Sequence, residues 1–317
     1  MDISRRGNVA HLTTQLAWRD GAPHLTRPDG IKNLLHLKAR VLDVYAGYDL
    51  DSPDVFPTSV KRSAVAFAHD KRTLVYQVTH GIKPLWHLGS AEEFKKCYLD
   101  LLEAHFHAYD LGRVLHRDIS EVSALARLRA DGKVAGLLND WDLTCAVEEE
   151  GLGQRLAPQL RSGTTPFMAI DLQRRAGGKY AATDRRYCHD LESFFWLLLW
   201  AVLHFDLNNK RHLDCLDADW TGSREESSYL KVDCLNNGDA LEKVLDNALD
   251  MWEDVVDNWV WPLARMLDDA RQSSKKWVSK KSRVFDDDAY AKELTFEVFM
   301  QTIEQTPRTW AHEEKET

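Results

Sequence analysis

The run Leu191-Glu192-Ser193-Phe194-Phe195-Trp196-Leu197-Leu198-Leu199-Trp200-Ala201-Val202-Leu203 limits the possible folds more than any other part of the chain. Beyond its first turn it is apolar on every side when wound as a helix. A helix with no polar face belongs in the middle of a core. The apolar run from Phe194 to Phe205 is too short to cross a bilayer, which takes about 20 residues. Other elements must therefore wrap it. Asp190 stands at its N-cap or in its first turn, where a carboxylate is favoured.

The chain has 317 residues, enough for one two-lobed domain or two small ones. Apolar residues make up 44% and charged residues 29%, the balance of a soluble globular protein. A net charge of −9 argues against non-specific nucleic-acid binding. Cys97, Cys145, Cys188, Cys215 and Cys234 are widely spaced and form no Cys-x-x-Cys. Neither a zinc site nor a disulfide framework is expected. A reducing compartment follows, the cytoplasm first and the nucleus as an alternative. The N-terminal MDISRRGNVAHLTTQ lacks the apolar core of a signal peptide, and nothing anchors the chain to a membrane.

Along the chain, Ile31 to Leu42 has helical periodicity after Pro28-Asp29-Gly30. Ser63–Ala68 and Thr73–Val78 have the pattern of two strands joined at His69-Asp70-Lys71-Arg72. Ser90-Ala91-Glu92-Glu93 is a capping box. It opens an amphipathic helix through Phe94, Tyr98, Leu101, Leu102, His105, Phe106 and Tyr109 that stops at Leu111-Gly112. His105 and His107, two apart, cannot share a helix face for a metal and are structural. Leu125–Leu128 and Val134–Leu138 are strands around an Ala130-Asp131-Gly132-Lys133 turn. Helices follow over Asp239–Val260 and Trp261–Asp269. The basic stretch Arg271–Arg283 is expected to be an exposed linker, with a nuclear address or partner patch as the alternative. A last helix covers Tyr290–Glu304, and residues 306–317 form a flexible tail.

Two acidic motifs carry the chemistry. Leu115-His116-Arg117-Asp118-Ile119-Ser120 precedes the hairpin, and Leu138-Asn139-Asp140-Trp141-Asp142 closes it, with Asp140 22 residues after Asp118. A His-Arg-Asp tripeptide alone recurs by chance. The pair at this spacing, each member after an apolar strand-like run, is much more specific. This is how a protein kinase places one carboxylate to orient the attacking hydroxyl and another to hold magnesium.

Two further segments complete the order: Arg161-Ser162-Gly163-Thr164-Thr165-Pro166-Phe167-Met168-Ala169-Ile170, then His189-Asp190-Leu191-Glu192-Ser193-Phe194-Phe195. From about residue 60 to 305 the chain resembles the fungal-type protein kinase domain. The stretch Leu294-Thr295-Phe296-Glu297-Val298-Phe299-Met300 is similar to that family's final helix. The resemblance implies an α+β, protein-kinase-like two-lobed fold. Residues 1–82 would be a reduced β-rich N-lobe ending in a hinge strand, and 83–305 a mainly helical C-lobe.

By the same resemblance, Asp118 is the catalytic base, with His116 and Arg117 beside it, and Asp140 is the magnesium ligand. Arg117 would pair with the segment between Asp140 and Gly163. Thr73–Gly81 would be the hinge strand, with Val78, Thr79 and Gly81 meeting the adenine of ATP. Asp190 would hydrogen-bond the backbone around His116-Arg117. Ser162, Thr164 and Thr165 would belong to an activation segment open to phosphorylation, with an ordinary polar loop as the alternative. ATP and Mg are the implied cofactors and a protein the implied substrate or partner, with no nucleic acid and no membrane.

Three departures stand against the family pattern. Ser123 occupies the place of the asparagine that serves as second metal ligand. No Gly-x-Gly-x-x-Gly occurs upstream of His116. The phosphate-binding lysine falls near Gln15, and the helix that should supply its acidic partner holds Asn33; Lys32, Lys38 and Lys61 are the candidate substitutes. Each lost contact costs on the order of 3 kcal/mol, about 100-fold in rate. The sequence thus supports an ATP- and magnesium-dependent transferase to Ser/Thr hydroxyls. A pseudokinase kept as a binding or regulatory module is the alternative, and a small-molecule kinase of the same fold is a third reading.

Overall fold

The computed structural model describes the strands at 12–18, 47–49 and 72–78, then residues 82–129, 132–141, 145–146, 163–173, 175–176, 179–180, 185–215, 220–279 and 282–308. β1 (Leu12–Trp18), β2 (Gly47–Asp49) and β3 (Arg72–Val78) form an antiparallel sheet with β3 in the middle. Leu12 faces Val78 and Trp18 faces Arg72 across one edge, and Gly47 faces Gln77 across the other. The helix expected over 31–42 and the strand over 63–68 lie outside the described residues.

A second sheet, β4 (Ile82–Pro84), β6 (Ala124–Leu128) and β7 (Val134–Leu138), lies further along the chain. The short β5 (Val114–Leu115) pairs with β8 (Cys145–Ala146). The β6–β7 hairpin runs in register from Ala124–Leu138 to Leu128–Val134.

Helix α1 (Ala91–Gly112) begins where the capping box predicts. Ser90 Oγ accepts from the Glu93 amide at 3.2 Å, but the Glu93 carboxylate reaches one residue further back, to the Gly89 amide at 2.8 Å. The helix ends because Arg113 turns left-handed at φ 52°, not at Gly112. α1 lies directly on β7. A Cβ at Gly136 would stand 2.1 Å from the Cys97 carbonyl oxygen, so only glycine permits this approach. The Gly136 amide donates to Asp100 Oδ2 at 2.7 Å, fixing helix to strand.

α2 (Ile170–Gln173) leads towards α3 (Tyr187–His204), the all-apolar helix of the sequence. Every α3 residue from Cys188 to His204 is buried. Tyr98 packs edge-on against Phe194 and donates its hydroxyl to the Phe194 carbonyl at 2.7 Å. Trp196 meets Trp220, and Trp200 meets Phe167. Each fully buried large apolar side chain contributes about 1.5–3 kcal/mol. Buried carboxylates in this helix must be saturated, because an unpaired one costs several kcal/mol. Glu192 accepts from the Ile170 amide (2.8 Å), Trp196 Nε1 (3.1 Å) and the Tyr290 hydroxyl (2.8 Å).

After α3 the chain forms α4 (Arg224–Asn236) and α5 (Gly238–Leu245). The helix expected over Asp239–Val260 is broken. It stops at Leu245, restarts through short turns from Asp250, and widens to a π turn at Val256–Val260 before α6 (Trp261–Ser273). Pro262 has no amide to donate back, so the ladder slips register just before it.

The largest correction concerns Arg271–Arg283, expected as an exposed linker. Arg271 is buried and binds Asp171 with two nitrogens on two oxygens, at 2.9 and 3.0 Å. Burial opposes its charge, but Asp171 and Glu192 outweigh it and hold the guanidinium charged. Lys275–Ser279 and Ser282–Phe285 then pair as a hairpin. The last helix is also divided, into α7 (Asp287–Glu293) and α8 (Phe296–Thr302), because Thr295 caps the Val298 amide and starts a new helix. Residues 306–308 do not hang free of the fold: Arg308 bonds the buried Glu103 and Asp100 of α1.

Candidate active site

The loop from His116 to Ser123 joins β5 to the hairpin, and its backbone is strained. Arg117 has φ 72°, and Asp140, past the end of β7, has φ 63°. Side chains other than glycine rarely adopt this left-handed region, at a cost of about 1–2 kcal/mol each. Such strain collects where function fixes the chain.

Asp190, from the first turn of α3, offsets the strain at Arg117. Its carboxylate accepts the His116 amide at 2.8 Å and the Arg117 amide at 3.2 Å, and binds His105 Nε2 at 2.8 Å. Burial alone would raise its pKa. The His105 hydrogen bond and nearby His116 and Arg185 outweigh this and bring it down to about 2. Arg185 donates to the Arg117 carbonyl from the other side. Burial, reinforced by Arg117, pushes the Arg185 guanidinium down to about 10.

His116 joins the two acidic motifs. Its Nδ1 accepts the Asp118 amide at 3.3 Å, and its Nε2 bonds the Asn139 carbonyl at 2.8 Å. These partners assign the proton to Nε2. Burial pushes its pKa down to about 4, so the ring is neutral near pH 7. It packs on Trp141, whose indole donates to the Leu138 carbonyl at 2.9 Å. The Asn139 amide donates to the Ser123 carbonyl at 2.8 Å. The Asp118 loop and the Asn139-Asp140 segment are therefore tied by two independent bonds.

Asp118 is half-buried. Its Oδ1 accepts both the amide and the hydroxyl of Thr164, each at 3.0 Å. Gly163 makes this approach possible. At φ 152° a Cβ there would meet Met168 Cε at 2.8 Å and Arg185 Nη2 at 2.9 Å. Ser123 is buried within the loop. Its Oγ accepts the Ser120 amide at 2.9 Å and lies 2.9 Å from the Asp118 carbonyl and 3.1 Å from that of Ser120. The hydroxyl named as a metal ligand is thus engaged in holding the loop.

Two participants carry no sequence signal. Arg185 belongs to no motif. Glu121, inside the loop, accepts from Trp200 Nε1 at 2.8 Å and bonds His212 Nε2 at 3.1 Å. Of the remaining candidates, Val78 ends β3, while Thr79, Gly81, Ser162, Lys32, Lys38 and Lys61 lie outside the described residues. Thr165 uses its carbonyl to accept from Gln173 Nε2 at 2.8 Å. Among the described residues no three His, Cys, Asp or Glu side chains gather as a metal cluster, and no helix is long and apolar enough to cross a membrane.

Residues 36–202, just over half of the chain, match the family model described as fungal protein kinase. The chain belongs to the fungal protein kinase family. The match spans the Asp118 loop, the Asp140 segment, the Thr164 turn and most of α3. It starts upstream of the residue 60 suggested by the motifs and stops before α3 ends. No curated protein matches the chain.

Proposed function

We propose that this fungal protein kinase family member transfers the γ-phosphoryl group of ATP to Ser or Thr hydroxyls of a protein. Asp118 is the general base and Asp140 the metal ligand. The observation that carries this reading is His116, which bonds both the Asp118 amide and the Asn139 carbonyl and so couples the two acidic motifs.

In this reading Asp118 accepts a hydrogen bond from the incoming hydroxyl and aims its lone pair at the phosphorus. Thr164 occupies only Oδ1 among the hydrogen bonds described for this carboxylate, so Oδ2 is the oxygen for the hydroxyl. Asp140 offers a hard oxygen donor. Magnesium typically takes one or two carboxylates together with substrate phosphates, so the lack of a three-residue cluster among the described residues is compatible with it. When bound, magnesium would neutralise charge on the phosphates. Val78 and the residues after it would meet adenine. The strands up to residue 82 would form the smaller of two lobes, with 83–305 as the other. Gly163, next to Thr164 in the chain, comes up against Arg185 and the Arg117 carbonyl, so phosphorylation of the segment that carries Ser162, Thr164 and Thr165 would meet positive charge there.

One observation favours the module reading. Ser123 is bonded inside the loop, which leaves the second metal position without its usual amide ligand. The deciding experiment is a transfer assay with Mg²⁺, γ-labelled ATP and dephosphorylated casein, autophosphorylation included. The transferase reading requires label that disappears in Asp118→Ala. Equal label in both proteins sinks it. A thermal shift with Mg·ATP but no transfer would establish the binding module instead.

A further inference from the structure

Lys231 lies on α4 and is wholly buried. Lysine is rarely buried so completely without a carboxylate to pair with. Here the ammonium group is met by main chain and a ring. Its Nζ donates to the Met168 carbonyl at 2.7 Å and the Thr165 carbonyl at 3.3 Å, and stands 4.8 Å from the centre of the Trp196 ring. Two carbonyls and an aromatic face match the three hydrogens of an ammonium. Burial pushes its pKa well below the ordinary lysine range, and Glu192 opposes that shift. Gln173 Nε2 donates to the same two carbonyls, at 2.7 and 2.8 Å.

Those carbonyls bracket the turn that starts at Thr164, whose own carbonyl accepts the Phe167 and Met168 amides at 3.0 and 3.1 Å. Thr164 in turn gives its amide and hydroxyl to Asp118. A continuous set of bonds therefore runs from α4 to the candidate base. An apolar side chain of similar volume would fill the space beside Trp196. What the amine adds is two directed bonds to the turn.

We propose that Lys231 is a positioning residue. Through the Thr165 and Met168 carbonyls, it fixes residues 164–168 so that Thr164 stays on the Asp118 carboxylate. This rests on the reading of Asp118 as base for its catalytic consequence, but not for its structural one.

The test uses the full chain with Lys231→Met and Lys231→Arg. Amide hydrogen exchange is compared between residues 163–170 and residues 187–204. Lys231→Met is expected to speed exchange in 163–170 by about tenfold or more, the scale of a lost hydrogen bond to a charged group, and to leave 187–204 within about twofold. Lys231→Arg should recover most of the protection. In the transfer assay, Lys231→Met should lower kcat about tenfold and leave KM for Mg·ATP within about twofold. Unchanged exchange in 163–170, or an equal rise in both segments, overturns the proposal. Should Lys231→Met fail to fold, Lys231→Gln is read by the same criteria. Exchange needs no turnover: a wild-type protein without transfer would remove Asp118 as base, while the exchange pattern would still decide whether Lys231 holds the turn.

Discussion

Thr164 gives both its main-chain amide and its hydroxyl to a single carboxylate oxygen, Oδ1 of Asp118, each at 3.0 Å. This bond pair holds the carboxylate in one rotamer and ties the segment after Gly163 to the loop after His116. Thr164→Val keeps the amide bond and removes the hydroxyl one. A hydrogen bond to a charged group is worth about 1.5–3 kcal/mol. Steady-state kinetics of Thr164→Val should therefore show kcat down about 10- to 100-fold, while calorimetric Mg·ATP binding is unchanged. A normal kcat would mean that the amide alone orients Asp118.

Asp190 should be the most damaging single loss near the site. Asp190→Ala leaves the buried amides of His116 and Arg117 without an acceptor and removes the partner of His105. Breaking a buried charged network of this kind costs about 3–5 kcal/mol. Urea denaturation followed by tryptophan fluorescence measures it, and a cost under about 1 kcal/mol would show that the network is not what holds Arg117 at positive φ.

Arg271 and Asp171 test whether the region after α6 belongs to the core. Arg271→Met strands the buried Asp171 and should cost about 3–5 kcal/mol, whereas Arg271→Met with Asp171→Leu should recover a large part of that. Additive losses in this double-mutant cycle would contradict the pairing seen here.

Stability should fall on mild acidification. Burial pushes His116 and His189 down to about 4 each, against about 6.5 in an unfolded chain. Between those values the unfolded chain binds the proton and the folded one does not. The stability is therefore whole above about 6.5 and is lost as pH falls towards 4, by up to about 3 kcal/mol per histidine. Asp190, held near 2 against 3.8, adds a second loss below about pH 4. His189→Gln should flatten the slope between pH 7 and 5 by up to one proton; urea midpoints across that range measure it.

Much of the fold was legible because its signals are local. The Ser90 cap, the β6–β7 hairpin and the all-apolar α3 each follow from a few adjacent residues. The left-handed stop at Arg113 was not legible, since the neighbouring Gly112 was the residue that invited the turn. Arg271 is hidden from the sequence for a different reason. It opens a basic run and looks solvated until Asp171, 100 positions away, is brought beside it. Glu121 and Lys231 pose the same problem, for their partners lie 79 and 63 positions away. At the site, the acidic motifs were readable from spacing. What holds them, Arg185 on the Arg117 carbonyl and Thr164 on the Asp118 carboxylate, depends on tertiary contacts that periodicity does not carry.

The Glu192 junction has a consequence for where this protein could be cut. The family match stops at Val202, yet the Glu192 carboxylate takes the Tyr290 hydroxyl, and neighbouring Asp171 takes Arg271. A fragment ending at 202 would leave Asp171 without its counter-ion and Glu192 short of a donor, at several kcal/mol for the stranded charge. That is a large share of a typical domain's whole stability, about 5–15 kcal/mol. The family match is thus shorter than the bonded network it enters, and melting should take α2, α3, α6 and α7 as one cooperative body.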